Sequence, residues 1–306
     1  MTAVSMKTIK KTRHIKKTPG EKIFDCLNVI LLGLMALTMI YPFWYLFALS
    51  MADADRVALS KVYIWPSVVS FSSYANVLGT KYIYMSFGMT VLRTVLGTLV
   101  SLFLGYNLAY VLSKRYYPNR GFWTGLTVFT MFFSGGMIPE YLLIKELGMI
   151  DTVWALILPT AINAYNIVII RNFLMSLPDS LEESARLDGA NDIVIVYRII
   201  LPLSMPIIAT IGLWTAVAHW NAWFDAMIYI RTTEKQVMQM VLRRVVLQGD
   251  ASLVPLSGEV VNATVSMNTE TIKAATVMVA TVPILLVYPF IQKYFVKGIM
   301  IGSLKG

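Results

Sequence analysis

Apolar residues run along this chain in long unbroken stretches, not in the short alternating segments of a half-buried sheet. An α-helix needs roughly 20 mostly apolar residues to cross a hydrocarbon layer of about 30 Å. Six stretches meet that length, near 23–49, 86–112, 121–144, 152–175, 206–230 and 274–296. A backbone in lipid must satisfy its own hydrogen bonds, so continuous runs predict helices and exclude a membrane barrel of alternating ten-residue strands. The expected fold is an all-α polytopic membrane protein with six transmembrane helices.

Composition agrees, since 57% of the 306 residues are hydrophobic and only 14% are charged, against about 25% charged in soluble domains. A net charge of +9 raises the question of nucleic acid, and the placement of the cations answers it. With the N-terminus inside, the arm before the first run, the "SKRYYPNR" loop, Arg171, Arg186, Arg198 and the last three lysines put sixteen cations on the cytoplasmic side. Nine lie outside, and Arg93 is within a run. The positive-inside bias predicts both termini in the cytoplasm of a bacterial plasma membrane and removes the reason to invoke nucleic acid. Residues 1–22 read as a basic arm drawn to anionic membrane lipid. The first run is too long for the h-region of a cleaved signal, so it reads as an uncleaved span. Cys26, the single cysteine, cannot form an intramolecular disulfide and reads as a buried structural thiol.

Several polar features interrupt the apolar runs. The segment 50–85, with "WPSVVSFSSY", mixes interfacial aromatics with turn residues and is expected along the outer surface. Arg93 has two readings: a side chain snorkelling to the outer headgroups, or a group in a transport pathway. Gly135, Gly136 and Pro139 weaken the third run near its outer end. Asn163 and Asn166 lie three residues apart on one face, suited either to interhelical hydrogen bonding or to substrate. The fifth run ends in His219, Trp220, Asn221, Trp223 and Asp225. An aromatic belt explains the tryptophans; aromatic faces beside amides and a carboxylate are also what a sugar needs. The outer loop 231–273 is far longer than an ordinary connection, which points to partner binding, and "QVMQMVLRRVVL" within it fits an amphipathic helix. Arg243 and Arg244 there offer cations to an acidic saccharide, although exposed basic pairs are ordinarily only solvated.

The segment 178–202, "PDSLEESARLDGANDIVIVYRIILP", is the most polar connection on the cytoplasmic side. Ser180 and Glu183 have capping-box spacing, and Glu182 and Glu183 suit a helix N-terminus. Gly189 supplies a left-handed position, Asn191 and Asp192 can cap a second helix, and Pro202 is expected to end it. The spacing predicts a rigid helix, bend and helix beneath the membrane.

At these residues the chain resembles the inner-membrane permease subunits of binding-protein-dependent ABC importers. Their motif of Glu-Ala-Ala, three residues, Gly, nine residues, Ile, any residue, Leu-Pro is matched by Glu183-Ser184-Ala185, Gly189, Ile199 and Leu201-Pro202, with serine for one alanine. "NLAYVLSKRYYPNRGFW", "RNFLMSLPDSLEE" and the closing "QKYFVKGIMIGSLKG" are similar to the carbohydrate branch, notably its six-span maltose-type subunit. The basic N-terminus and "HWNAWFDAMIYI" look closer to its lipoprotein and polysaccharide types.

The resemblance implies one permease domain over 23–306 that passes a sugar from an extracytoplasmic solute-binding protein. It also implies a second, homologous permease subunit and two ATP-binding subunits that use ATP and magnesium. Glu182, Glu183, Ser184, Ala185, Asp188, Gly189 and Pro202 would couple to the ATPases. Ser303, Leu304, Lys305 and Gly306, in a cytoplasmic tail 297–306, would contact them, and Asn163, Asn166, His219, Trp220, Asn221, Trp223 and Asp225 would line the pathway. The chain has no phosphate-loop sequence of its own, and His14 and His219 lack companions at metal-ligand spacing, so neither bound cofactor nor metal is expected. An ion-coupled secondary transporter is the alternative; it would ordinarily show mid-span acids or an internal repeat of broken helices. An intramembrane enzyme would need a cluster of catalytic groups within the runs, which only His219 approaches.

Overall fold

The computed structural model describes residues 18–53, 64–248 and 270–286, and the described residues form helices without a named strand. Helix α1 spans Pro19–Ser50. Thr18 opens it with a capping box: its hydroxyl accepts from Glu21 N at 3.3 Å, and the Glu21 carboxylate accepts from Thr18 N at 2.8 Å. Only Ala48, Leu49 and Ser50 at its end are buried. Apolar all round and unpacked until its last turn, α1 needs a membrane or another helix to cover it. Cys26 is exposed on it, which corrects the expected buried thiol: this part of α1 touches no core of its own chain.

Short α2 (Ser72–Gly79) leads into α3 (Lys81–Ser113), the axis against which α7 and α10 pack. The third apolar run is not one straight helix. It divides into α4 (Arg120–Phe132) and α5 (Met137–Glu146), bent by 111° where Gly136 takes φ +86°, a conformation open to glycine. The fourth run divides into α6 (Trp154–Thr160) and α7 (Ala164–Leu174), bent by 52°. After α8 (Ser180–Leu187), α9 (Asp192–Leu203) meets α10 (Met205–Asn221) at 79°. The chain then breaks at Ala222 before α11 (Phe224–Tyr229). Helix α12 covers Met238–Gln248 and α13 covers 270–286. Among the described residues two helices are long and apolar enough to cross a membrane alone, and five if each bent pair is one span. The rest of the last predicted span, to 296, lies outside the described residues.

The core is polarised along α3. Tyr106, Ala109 and Leu112 near its C-terminal end pack with Ile167 and Ile170 of α7, Ala185 of α8 and Ile195 and Ile200 of α9. At the other end, Ile83 packs with Val241 and Val245 of α12 and Ile272 of α13, while Ile144, Leu156, Tyr229 and Met240 form an adjoining cluster. Part of the predicted polar outer loop is thus a packed amphipathic helix. Thr90 Oγ1 accepts from Met238 N at 2.8 Å, and Tyr82 OH donates to Gln236 Oε1 at 2.8 Å, pinning the start of α12 to α3.

At the C-terminal end of α3, Arg171 Nε donates to the orphan carbonyl of Leu112 at 3.0 Å, and Lys114 pairs with Glu182. Helix α8 begins at Ser180, but the expected capping box does not form. Asp179 is already helical (φ −61°, ψ −27°), so the Ser180 hydroxyl is inside the first turn and Glu183 N donates to Asp179 O at 3.2 Å. The helix closes through Gly189 at φ +80°: Ala190 N donates to Ala185 O at 2.9 Å and Gly189 N to Arg186 O at 3.0 Å, a Schellman arrangement. Asn191 then caps α9, accepting from Val194 N at 2.9 Å. Ile195–Ile200 form a π turn whose Val196 carbonyl accepts from Tyr106 OH at 3.1 Å. Pro202 does not end this helix; the turn runs to Leu203 and the bend falls at Ser204.

At the opposite end, Asp151 (φ +63°) joins the turn after α5 to the segment after α11. Its carboxylate accepts from Thr232 Oγ1 at 2.5 Å, Thr232 N at 2.9 Å, Arg231 N at 3.0 Å and Lys235 Nζ at 3.0 Å. The Thr232 hydroxyl bond foremost, with the other donors, holds this carboxyl well below the usual carboxylate range. A depressed carboxyl pKa stabilises the fold above the unfolded value of about 3.9, and that stabilisation is lost as pH falls through the folded value. Asp151→Ala should therefore lower stability by about 1–2 kcal/mol, by the same amount at pH 7 and pH 5.5, in thermal melts of detergent-solubilised protein. A cost that vanished at pH 5.5 would count against the carboxylate clamp.

Candidate functional site

Helix α3 presents Arg93, Gly97, Ser101 and Gly105 at four-residue steps, which places them on one face. Of these, Arg93, Ser101 and Gly105 line a cavity of about 590 Å³ between α3, α7 and α10. This is within the range of small-ligand sites, roughly 300–1,000 Å³. Gly97 is needed for a close approach: a Cβ there would lie 2.5 Å from His219 Nε2, so only glycine lets the imidazole rest on the α3 backbone. Helix α10 adds Ile211, Trp214, Thr215 and Ala218 beside His219, and α7 adds Asn163, Asn166 and Ile170.

Arg93 does not snorkel. It is 1% exposed, and its guanidinium pairs with both carboxylate oxygens of Asp225, at 3.1 Å from Nη1 to Oδ1, while Nη1 donates to Ala222 O at 3.2 Å and Nη2 to Leu156 O at 3.4 Å. The reason lies in the helix break. Ala222 is extended (ψ 132°), so its carbonyl leaves the helical ladder and requires another donor. Asp225 balances the charge that arrives with that donor.

The structure brings most sequence-predicted pathway residues together. Asn163 caps α7, its Oδ1 accepting from Asn166 N at 3.1 Å, and Asn166 Nδ2 reaches Thr215 Oγ1 on α10 at 3.5 Å. Both asparagines thus join helices and line the cavity. His219, Asn221, Trp223 and Asp225 line it too. Trp220 does not: it stands on the opposite face of α10, its ring edge-on to Phe87 at 5.9 Å, in an apolar groove with Val91, Leu213 and Val217. The helical period separates 220 from 211, 214, 215, 218 and 219, so the signal was present in the sequence. The same period identifies Trp214, which stacks with Tyr165 at 6.5 Å, and Thr215. No sequence signal places the Arg243 guanidinium 3.8 Å from the Trp223 ring centroid.

A second cleft, about 480 Å³, lies where the C-terminal end of α3 meets α8; Lys114, Tyr116, Met175, Glu183 and Arg186 are among its walls. Of the proposed coupling residues, Glu183, Ser184, Asp188, Gly189 and Pro202 are exposed, whereas Glu182 is tied to Lys114 and Ala185 is buried in the core. Leu187, absent from the sequence-derived set, is 89% exposed beside them. Ser303, Leu304, Lys305 and Gly306 lie outside the described residues. Among the described residues no group of three His, Cys, Asp or Glu side chains could hold a metal.

No family model matches the chain. It is 44% identical over 289 residues to Protein LplC of Bacillus subtilis (strain 168), covering 94% of this chain and 97% of that protein. It is 45% identical over 291 residues to the polygalacturonan/rhamnogalacturonan transport system permease protein YtcP of the same organism, covering 94% and 99%. Its fold matches a chain in the crystal structure of a bacterial ABC transporter involved in the import of the acidic polysaccharide alginate, with TM-score 0.84 and 34% identity, over 92% of this chain and 99% of that one.

Removing the acid of the buried pair leaves Arg93 charged without its partner. Asp225→Asn should cost about 3 kcal/mol, the lower end for breaking a buried pair because the Asp225 side chain is 23% exposed. The Arg93→Met, Asp225→Leu double variant should recover part of it. Thermal melts of the three proteins test this, and a wild-type melt for Asp225→Asn would remove the pair from its structural role.

Proposed function

The chain belongs to the permease subunits of ABC sugar importers, and on that premise we propose how its two sites divide the work of carrying a saccharide inward. The cavity between α3, α7 and α10 holds the sugar in passage. Trp214 and Trp223 offer apolar ring faces, and Asn163, Asn166, Thr215 and Asn221 offer hydrogen bonds to hydroxyls. The exposed face of α8, with Glu183, Ser184, Leu187 and Asp188, docks on one of two ATP-binding subunits that hydrolyse ATP with magnesium. A second, homologous permease subunit completes the pathway, and a solute-binding protein delivers the saccharide at the α12 end. The chain makes six crossings of the bacterial plasma membrane with both termini in the cytoplasm, and its tail at Ser303–Gly306 adds to the ATPase contact.

The observation that carries this reading is the connection between the two sites. Helix α7 runs from Asn163 at the cavity to Leu174 beside the α8 knob, and α9 leads from the knob into α10 with Trp214 and His219. Because Lys114, Arg171, the Schellman turn and Tyr106 hold the knob rigid, a displacement of α8 reaches both cavity walls. A bistable packed element transmits such a shift where a loose loop cannot. Glu182 and Ala185 act in this scheme as anchors of the knob, and Glu183 and Leu187 as its contact surface.

Three substitutions test the assignment in the assembled importer. Glu183→Lys and Leu187→Asp should leave the protein in the membrane but uncouple ATP hydrolysis from uptake. Gly189→Pro, which cannot adopt φ +80°, should do the same through the bend. Wild-type transport by all three would sink the docking role. Separately, Trp223→Ala should reduce saccharide uptake with assembly intact, whereas Trp220→Ala should leave uptake per assembled complex unchanged, as measured by uptake normalised to co-purified subunits.

A further inference from the structure

Resting on the reading that this cavity passes a saccharide from the α12 end, we infer that the saccharide is acidic and that Arg243, seated on Trp223, meets its carboxylate at the cavity mouth. The cavity itself offers no spare charge. Its charged lining residues among the described ones are Arg93 and Asp225, and each neutralises the other. Asn163, Asn166, Thr215 and Asn221 would serve a neutral or an acidic ring equally well.

Arg243 changes that balance. Its guanidinium carbon lies over the Trp223 ring, 3.8 Å from the centroid, and Trp223 is a cavity wall. Arg243 is exposed, and no carboxylate among the described residues pairs with it. Arg244 adds charge of the same sign within electrostatic reach of Tyr82, on another side of α12.

The position of Arg243 is also fixed in advance. Val241 and Val245 are buried on either side of it in sequence, and Thr90 and Tyr82 hold the start of α12. A guanidinium laid on an indole keeps part of its surface desolvated while its N–H donors remain free at the edge for bidentate binding of a carboxylate. Because the helix is already ordered, little entropy is lost when the carboxylate arrives. A neutral hexose gains nothing comparable from this group, so the arrangement discriminates by charge. Trp223 offers the ring face and Arg243 the counter-charge for one uronate unit.

The experiment uses cells that lack their own copy of this subunit, complemented with wild type, Arg243→Gln or Arg243→Lys, the rest of the importer being intact. The probes are a labelled short oligogalacturonate and its methyl-esterified, uncharged counterpart. Wild type should import the acidic probe in preference to the ester. Arg243→Gln should lower uptake of the acidic probe about tenfold, the loss of about one charge-assisted contact, through a higher half-saturation concentration with the maximal rate kept. Arg243→Lys should recover part of the loss. Unchanged acidic uptake by Arg243→Gln would overturn the role of Arg243. So would equal loss of subunit and uptake, which marks a merely structural residue. Preference of wild type for the ester or another neutral saccharide would overturn the substrate class but leave the transport reading standing, while no ATP-dependent uptake of any saccharide would sink both.

Discussion

A buried guanidinium is the constraint on which this structure turns. Bending and breaking helices inside an apolar layer frees carbonyl groups that lipid cannot satisfy, and each must find a donor within the protein. Arg93 meets that need from the straight helix α3 toward two other elements, reaching Ala222 at the break after α10 and Leu156 on α6. A lone arginine there would cost more than the hydrogen bonds return, so Asp225 on α11 accompanies it. One pair thereby ties the end of α10 to the start of α11 and to α6, at one wall of the cavity.

The opposite end of α3 is organised by weaker contacts in greater number. Arg171 and Lys114 satisfy and shield the last turn, Tyr106 reaches the widened turn of α9, and Ala185 sits in the apolar core where a larger side chain would push α8 outward. The small residue Ala185 is therefore explained by packing, whereas Glu183, Leu187 and Asp188 face away from the core. The ends differ in kind: a single strong electrostatic tie at one, a distributed set of caps and apolar contacts at the other.

Helix class, the helix, bend and helix after Ser180, the left-handed Gly189 and the Asn191 cap were legible in the sequence because each depends on residues within a few positions of one another. So was the weakness at Gly135 and Gly136, though not the size of the bend, which depends on what α5 packs against. The role of Arg93 was not legible. Its partner lies 132 residues away, and the local rule for an arginine near a helix end is to reach for the headgroups. The Ser180 box failed for a comparable reason: the motif spacing was right, but the backbone of Asp179 had already entered the helix. Trp220 and Trp223 looked equivalent as neighbours in a string and are not, since the helix turns one toward an apolar groove and the break turns the other toward the cavity.

Two glycines on one face of α3 differ in the clearance that the neighbouring helices leave them. Gly97 has no clearance, because the His219 ring already occupies the place of a Cβ. Gly105 has room, its nearest neighbour being Ile167 Cγ1 at 3.9 Å from such an atom. The face thus has one closed position and one open position, two helical turns apart on the same helix. A methyl added at the second would narrow the cavity beside α7 while leaving the buried pair and the α8 knob untouched.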